Sequence, residues 1–143
     1  MLEIANFGKH EVTGPAAHTF LDRLLAAKLP KPGRIVLSPM LGPKGKLAGD
    51  LTVTCLSEEH FLLLGSGAAQ KMHRRWFEAN LPAVGVTYRN VSDSLHGVAI
   101  AAAAPVADSC IAIELAGGHP RSVGYGGGRG GAGVVGAIGG RDN

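Results

Sequence analysis

The composition of the chain changes near residue 100, and this change limits how much of it can form a packed domain. Residues 101–143 contain 12 Gly, and apart from the apolar stretch 110–115 they show no helical or strand period. A Gly-rich segment buries too little apolar surface to offset the entropy of ordering it. We therefore predict one folded domain over residues 1–100, followed by an Ala/Gly-rich tail over residues 101–143 that is disordered or out of frame, with residues 116–143 mobile.

Two amphipathic helices are predicted within the first hundred residues. After the break at Gly14 and Pro15, apolar residues recur at three- and four-residue spacing, which predicts a helix over residues 15–27. A second set of apolar residues at helical spacing follows residues 65–67, includes Trp76 and ends before Pro82. It predicts the second helix. We expect Trp76 and Phe77 to be core residues of this second helix.

Short runs of β-formers occupy the rest of this region and predict an antiparallel sheet. The predicted strands are residues 10–13, 34–38, 47 with 50–56, 60–64, 84–90 and 95–101. The strand over 34–38 and the strand over 47 and 50–56 are expected to pair as a hairpin. The second run is expected to end at Pro39, which cannot donate to a strand ladder. This order of elements predicts an α+β fold: an antiparallel sheet with two helices packed on one face, in a ferredoxin-like arrangement.

Charge and special residue types narrow the function classes. The formal charge of +3 is accounted for either by a solvated basic face or by weak attraction for an anionic ligand, and it does not require nucleic acid. Six scattered His and two Cys without paired spacing predict neither a metal site nor a disulfide framework. The first residues include Glu3 and no apolar run, so we expect no membrane span and a cytoplasmic protein.

Two motifs in the tail are weak. Residues 128–133 satisfy G-x-G-x-x-G, but Gly is dense here and no clear strand precedes the motif, so it does not indicate a dinucleotide site. An Arg-Gly segment that contacts RNA is the other interpretation of the tail. Arg129 and Arg141 are too few to neutralise many phosphates.

Six segments, in order, carry a resemblance to a known family. They are residues 6–15, 20–24, 34–41, 45–53, 61–67 and 75–76. Together they resemble the folate-binding domain shared by the aminomethyltransferase of the glycine cleavage system and by dimethylglycine and sarcosine dehydrogenases, nearest to the dehydrogenase branch. The resemblance covers about the first 100 residues of the 143.

The resemblance implies a domain that binds tetrahydrofolate, receives a one-carbon unit derived from a small methylated amine, and yields methylenetetrahydrofolate. It also implies that this chain is a fragment of a longer parent protein. FAD would bind only in a missing domain, and the rest of the parent chain would be a partner. Whether the fragment is itself an enzyme stays open. The alternative is a non-enzymatic module that keeps the fold but has lost folate binding.

Four residues are candidates for the site under this resemblance. Asp50 matches the family's catalytic acid, and its alternative is an ordinary strand-end carboxylate. Leu37 stands where several relatives place a Tyr against folate, and Gly65 stands near an Asn that contacts the pterin. Met40 either lines the pterin pocket or is an ordinary core residue.

Overall fold

The computed structural model describes residues 2–3, 6–100 and 110–115, with side chains from residue 6 to residue 95. The described residues divide into two compact units, residues 6–91 and residues 2–3 with 92–100 and 110–115. The predicted mobility of residues 116–143 lies outside the described residues. The predicted domain boundary at residue 100 stays a prediction.

The described elements alternate between strands and two helices. In chain order they are β1 (Leu2–Glu3), β2 (Gly8–Thr13), α1 (Ala17–Leu24), β3 (Ile35–Leu41), β4 (Leu47–Ser57), β5 (His60–Gly65), α2 (Gln70–Asn80), β6 (Thr87–Asn90), β7 (Leu95–Ile100) and β8 (Cys110–Leu115). In the larger unit, five strands form an antiparallel sheet in the order β3-β4-β5-β2-β6. In the smaller unit, β1, β7 and β8 form an antiparallel sheet in that order.

The core of the larger unit lies between its two helices and one face of its sheet. Strand pairing aligns Val12 with Phe61 and Phe61 with Cys55, so these side chains share that face. The buried cluster also takes Ala17, Phe20 and Leu21 from α1 and Phe77 from α2, with Trp76 partly buried against it. The predicted α+β fold with helices on one face is therefore confirmed, as is the core position of Phe77.

The region around Pro39 differs from the prediction. β3 continues through Pro39, which pairs with Asp50 on β4. Among the described strands β3 lies at the edge of the sheet, so one of its sides has no neighbouring strand there and tolerates a residue without an N–H. The prediction that α1 reaches residue 27 is also wrong: Leu25 adopts extended geometry and forms a bridge with Met40, which draws the chain out of the helix.

A bulge in β4 lies next to the residue predicted to be the acid. Met40 pairs with Gly49 whereas Leu41 pairs with Leu47, so one residue of β4 between them has no partner. β4 is continuous through this point, although the sequence predicted an interruption before residue 50. Bulges turn side chains at strand ends in new directions, and this one precedes Asp50 by two residues.

Candidate functional site

A cleft of about 260 Å³ lies where three segments of the larger unit meet. Its lining residues are Asn6, Phe7, Asp50, Thr52, Leu64, Gly65, Ser66 and Gly67. They come from the two residues before β2, from β4, and from the end of β5 together with the turn that follows it. Gly65 pairs with Gly8 on one side and with Leu51 on the other, which brings the three segments together.

Asp50 is the charged residue among the described residues that line this cleft. Alternation along β4 places Asp50 and Thr52 on one face, and Leu64 is the β5 partner of Thr52 on that face. Asp50 is exposed, and Phe7 is 41% exposed at the same cleft. A carboxylate beside apolar walls can attract a cationic group or exchange a proton with a ligand.

Glycines at the cleft allow close approach of neighbouring groups. A Cβ on Gly65 would lie 2.6 Å from Leu51 Cδ2 and 2.7 Å from His73 Cε1. A Cβ on Gly67 would overlap the backbone carbonyl of Asn6. This part of the cleft wall therefore requires residues without side chains, a packing reason for glycine that does not depend on a ligand.

Two buried histidines lie on the core side of the sheet near the cleft. His10 and His73 are 0% and 1% exposed, and their ring centroids are 5.8 Å apart. His10 Nδ1 and the Tyr88 hydroxyl are hydrogen-bonded at 2.8 Å. Burial, with a smaller effect of His73, lowers the pKa of His10 to about 4. Burial also lowers the pKa of His73, opposed by the charge of Asp50. Both rings are therefore neutral at neutral pH.

The sequence interpretation missed these histidines and several cleft residues. Asn6, Phe7, Ser66 and Gly67 belong to segments that carried the resemblance, but no role was assigned to them. The sequence does contain a signal for His73. This histidine lies four residues before Phe77, on the same face of α2, and this spacing predicts that it is buried.

The structure brings together two of the four predicted site residues. Asp50 and Gly65 both line the cleft, whereas Leu37 and Met40 are not among its lining residues. Leu37 is 62% exposed on β3, opposite Thr52. Met40 is fully buried in the core. The predicted roles of all four in folate binding or catalysis stay predictions.

A second depression, of about 170 Å³, lies along α1. Its lining residues are Ala16, Thr19, Phe20, Arg23 and Pro82. The Arg23 guanidinium donates to the carbonyl of Asn80 at 3.0 Å, and no carboxylate is among the described lining residues. The cleft with Asp50 is therefore the better candidate site for acid–base chemistry.

Metal ligands, a free thiol and a membrane-spanning helix would each indicate another kind of site. Within residues 6–95, whose side chains are described, no group of three or more His, Cys, Asp or Glu residues could hold a metal ion. Cys55 is a free thiol in the core, and burial raises its pKa. None of the helices in the described ranges has the length and apolar character needed to cross a membrane.

The fold and the cleft define the class of this protein. It is an α+β domain in which the cleft carries the Asp50 carboxylate and lies where β4, β5 and the turn before α2 meet. Residues 1–112 match the family described as "GCVT N-terminal domain", and the chain belongs to this family. The family part of the resemblance is thereby confirmed.

The relatives are much longer than the matched stretch. Mitochondrial dimethylglycine dehydrogenase of Rattus norvegicus is 32% identical over 103 residues, which are 71% of this chain and 12% of that protein. The Homo sapiens protein is 33% identical over 101 residues, 69% of this chain and 12% of its own length. An aminomethyltransferase of Natranaerobius thermophilus is 29% identical over 103 residues, 70% of this chain and 28% of its own length.

A solved structure has the same fold. The glycine cleavage system aminomethyltransferase T from Bartonella henselae superposes with a TM-score of 0.63 at 22% sequence identity. The match covers 68% of this chain and 27% of that one. At this identity the similarity shows the fold alone.

Proposed function

We propose that this chain is part of a tetrahydrofolate-binding one-carbon-transfer domain of a longer dehydrogenase-like or aminomethyltransferase protein. The observation that supports this best is the position of Asp50. The residue that the resemblance matches to the family's acid is the charged residue in the described cleft lining. Membership of the GCVT N-terminal domain family supports the same function.

The cleft suits the reactive end of a folate. Its volume of about 260 Å³ lies just below the roughly 300–1,000 Å³ typical of sites for drug-sized ligands. One ring system therefore fits, and the rest of the ligand needs further binding surface. Phe7 and Leu64 offer apolar contact for a flat ring, while Asp50 and Thr52 offer polar contact. Tetrahydrofolate supplies the nitrogens that accept the one-carbon unit.

Asp50 has two functions in this proposal. Its carboxylate would stabilise positive charge on the incoming iminium-level carbon. It would also take the proton that a folate nitrogen loses on bonding to that carbon, and pass it to the small amine that leaves when the carbon–amine bond breaks. Asp50 is exposed in the free chain, and its electrostatic effect becomes stronger when a bound ligand excludes water from the carboxylate. The one-carbon unit derives from a small methylated amine, and FAD-dependent amine oxidation belongs to a separate domain of the parent protein.

Calorimetric titration of the purified chain with tetrahydrofolate tests the proposal. We expect saturable heat, and stabilisation of the folded state by about 2.7 kcal/mol when free ligand exceeds Kd by about 100-fold. The variant Asp22→Asn is the matched control, because Asp22 is an exposed carboxylate on α1 and does not line the cleft. It should bind like the unmodified chain. Neither heat nor stabilisation at ligand excess would favour the non-enzymatic module that has lost folate binding.

A further inference from the structure

A buried lysine lies next to the cleft. Lys9 on β2 is 0% exposed, although a lysine is almost never fully buried unless its charge has a partner. Its ammonium Nζ donates to the backbone carbonyl of Phe7 at 3.0 Å. Phe7 lines the cleft, and so does Leu64, the residue opposite Lys9 on β5. The ammonium is therefore bonded to the wall of the cleft, although Lys9 is not itself among the described lining residues.

The Lys9–Phe7 hydrogen bond spans the glycine that joins this wall to β2. A Cβ on Gly8 would lie 3.3 Å from Gln70 Cβ and 3.3 Å from His10 Nε2, so packing favours glycine here. Glycine restricts the backbone dihedral angles less than any other residue. Gly8 therefore does little by itself to fix the direction in which the chain leads from β2 to Phe7, and a bond across it supplies that restraint.

The neighbouring carbonyl of the same wall is fixed as well. A Cβ on Gly67 would overlap the carbonyl of Asn6, so this carbonyl packs directly on the Gly67 backbone. Two consecutive carbonyls, those of Asn6 and Phe7, are thus held in place. The Phe7 ring itself is 41% exposed, so its packing is incomplete and its position depends largely on the backbone that carries it.

We propose that Lys9 is a positioning residue for the ligand-binding cleft and acts through Phe7. Its ammonium fixes the Phe7 carbonyl, and with it the backbone that presents the aromatic ring to a flat ring of the ligand. A wall that is ordered before binding removes the entropy cost of ordering it on binding. The effect on the ligand rests on the proposed function, whereas the Lys9–Phe7 hydrogen bond is a property of the chain without ligand.

Nuclear magnetic resonance of the unmodified chain tests the hydrogen bond directly. We expect a scalar coupling between the Lys9 side-chain nitrogen and the Phe7 carbonyl carbon, because such a coupling between these atoms is transmitted across the hydrogen bond. Lys44, an exposed lysine in the turn between β3 and β4, is the matched control and should show no coupling to a carbonyl carbon. A Lys9 ammonium without the coupling, or one whose protons exchange with water as fast as those of Lys44, overturns the proposal.

Fluorine resonance of the phenylalanine rings tests whether the bond positions Phe7. The chain contains four Phe, and the others belong to the buried core: Phe20, Phe61 and Phe77. With para-fluorophenylalanine incorporated, Lys9→Met should shift the Phe7 signal and leave the core signals in place, whereas Lys44→Met should shift none. The Phe7→Leu variant identifies the signal. An unchanged Phe7 signal in folded Lys9→Met overturns the proposal, and so do equal shifts of all the signals, which would indicate a general structural role.

Calorimetry with tetrahydrofolate connects this role to binding. Folate affinity should fall by roughly 2- to 10-fold in Lys9→Met, because the ligand must then order the wall that carries Phe7. Lys9→Arg keeps a cationic donor and should restore most of the affinity, and Lys44→Met should not change it. If Lys9→Met does not fold, the coupling in the unmodified chain decides the outcome.

The results separate this proposal from the proposed function. Folate heat with equal affinity in the unmodified chain and in folded Lys9→Met would keep folate binding and overturn the role of Lys9. A Lys9–Phe7 coupling and a shifted Phe7 signal without any folate heat would reject folate binding and keep Lys9 as the residue that positions Phe7.

Discussion

At the scale of single residues, the titratable groups of the larger unit occupy contrasting environments. Asp50 is exposed at the cleft, whereas Glu11 on β2 is held by His60 at 2.9 Å and by Arg89 Nε at 2.9 Å. The hydrogen bond from His60, reinforced by Arg89, lowers the pKa of Glu11 to about 2. His10 is buried and neutral. Glu11 therefore links β2 to β5 and β6, whereas Asp50 lines the cleft.

Replacement of Asp50 by Asn should separate binding from transfer. In a full-length protein that carries this domain, we expect Asp50→Asn to keep the fold and most folate affinity. Formation of methylenetetrahydrofolate should fall by ~100- to 10,000-fold, because the amide can neither carry the proton nor balance the developing charge. Steady-state rates and folate Kd measured on the same preparation check this. An unchanged transfer rate would make Asp50 an ordinary strand-end carboxylate.

Folding stability should fall on mild acidification because of His10. Its pKa is lowered from 6.5 to about 4 in the folded chain, so the unfolded chain binds the proton more readily. The stability contribution is complete above pH 6.5 and is lost as the pH falls from 6.5 towards about 4. The loss is on the order of 3 kcal/mol. Urea unfolding between pH 7.5 and about 4 measures it.

A double variant provides the comparison for this prediction. His10→Phe combined with Tyr88→Phe removes the titrating ring and also the hydroxyl that would lose its partner. Its stability should depend less on pH in this window, although His73 still contributes. The Glu11 contribution is lost at lower pH, between 4.5 and about 2, since its pKa is lowered. Equal pH dependence of both proteins would show that His10 does not cause the loss.

At the scale of elements, the packing of α2 on β4 and β5 depends on Gly65. We expect Gly65→Ala to destabilise the chain by roughly 1–3 kcal/mol, because the added methyl group must displace His73 or Leu51. Gly42→Ala is the matched control, since its Cβ would lie 3.6 Å from the Lys46 carbonyl oxygen, an ordinary contact. Chemical denaturation of the two variants checks this. Equal stability of both variants would show that His73 and Leu51 can move away from the added methyl group at little cost in free energy.

At the scale of the whole molecule, the matched stretch spans 12% of the Rattus norvegicus dehydrogenase. We expect the purified chain not to oxidise dimethylglycine or sarcosine, because hydride removal from an amine relies on a redox cofactor such as a flavin. The proposed function assigns that step to a separate domain. Amine-dependent dye reduction above a control without protein, measured with FAD added, would contradict the expectation.

The sequence by itself determined the element types and the fold class. Periodic apolar residues such as Phe20 and Phe77 mark helix faces, because each face must be buried against the sheet, and this pattern is local. The family resemblance was carried by short segments in the same way, and residues 1–112 confirm it. Element ends were less accurate, because tertiary pairing such as the Leu25–Met40 bridge overrides local preference.

Only the tertiary structure decided which residues meet at the cleft. Asp50, Gly65 and Phe7 are distant in sequence, and strand pairing through Gly65 brings their segments together. The same pairing leaves Met40 in the core and away from the cleft lining. It also sets His73 against Gly49 and Gly65. These placements depend on strand register. The register is fixed by burial of one face of the sheet and by the bulge in β4, and it cannot be predicted from a local sequence pattern.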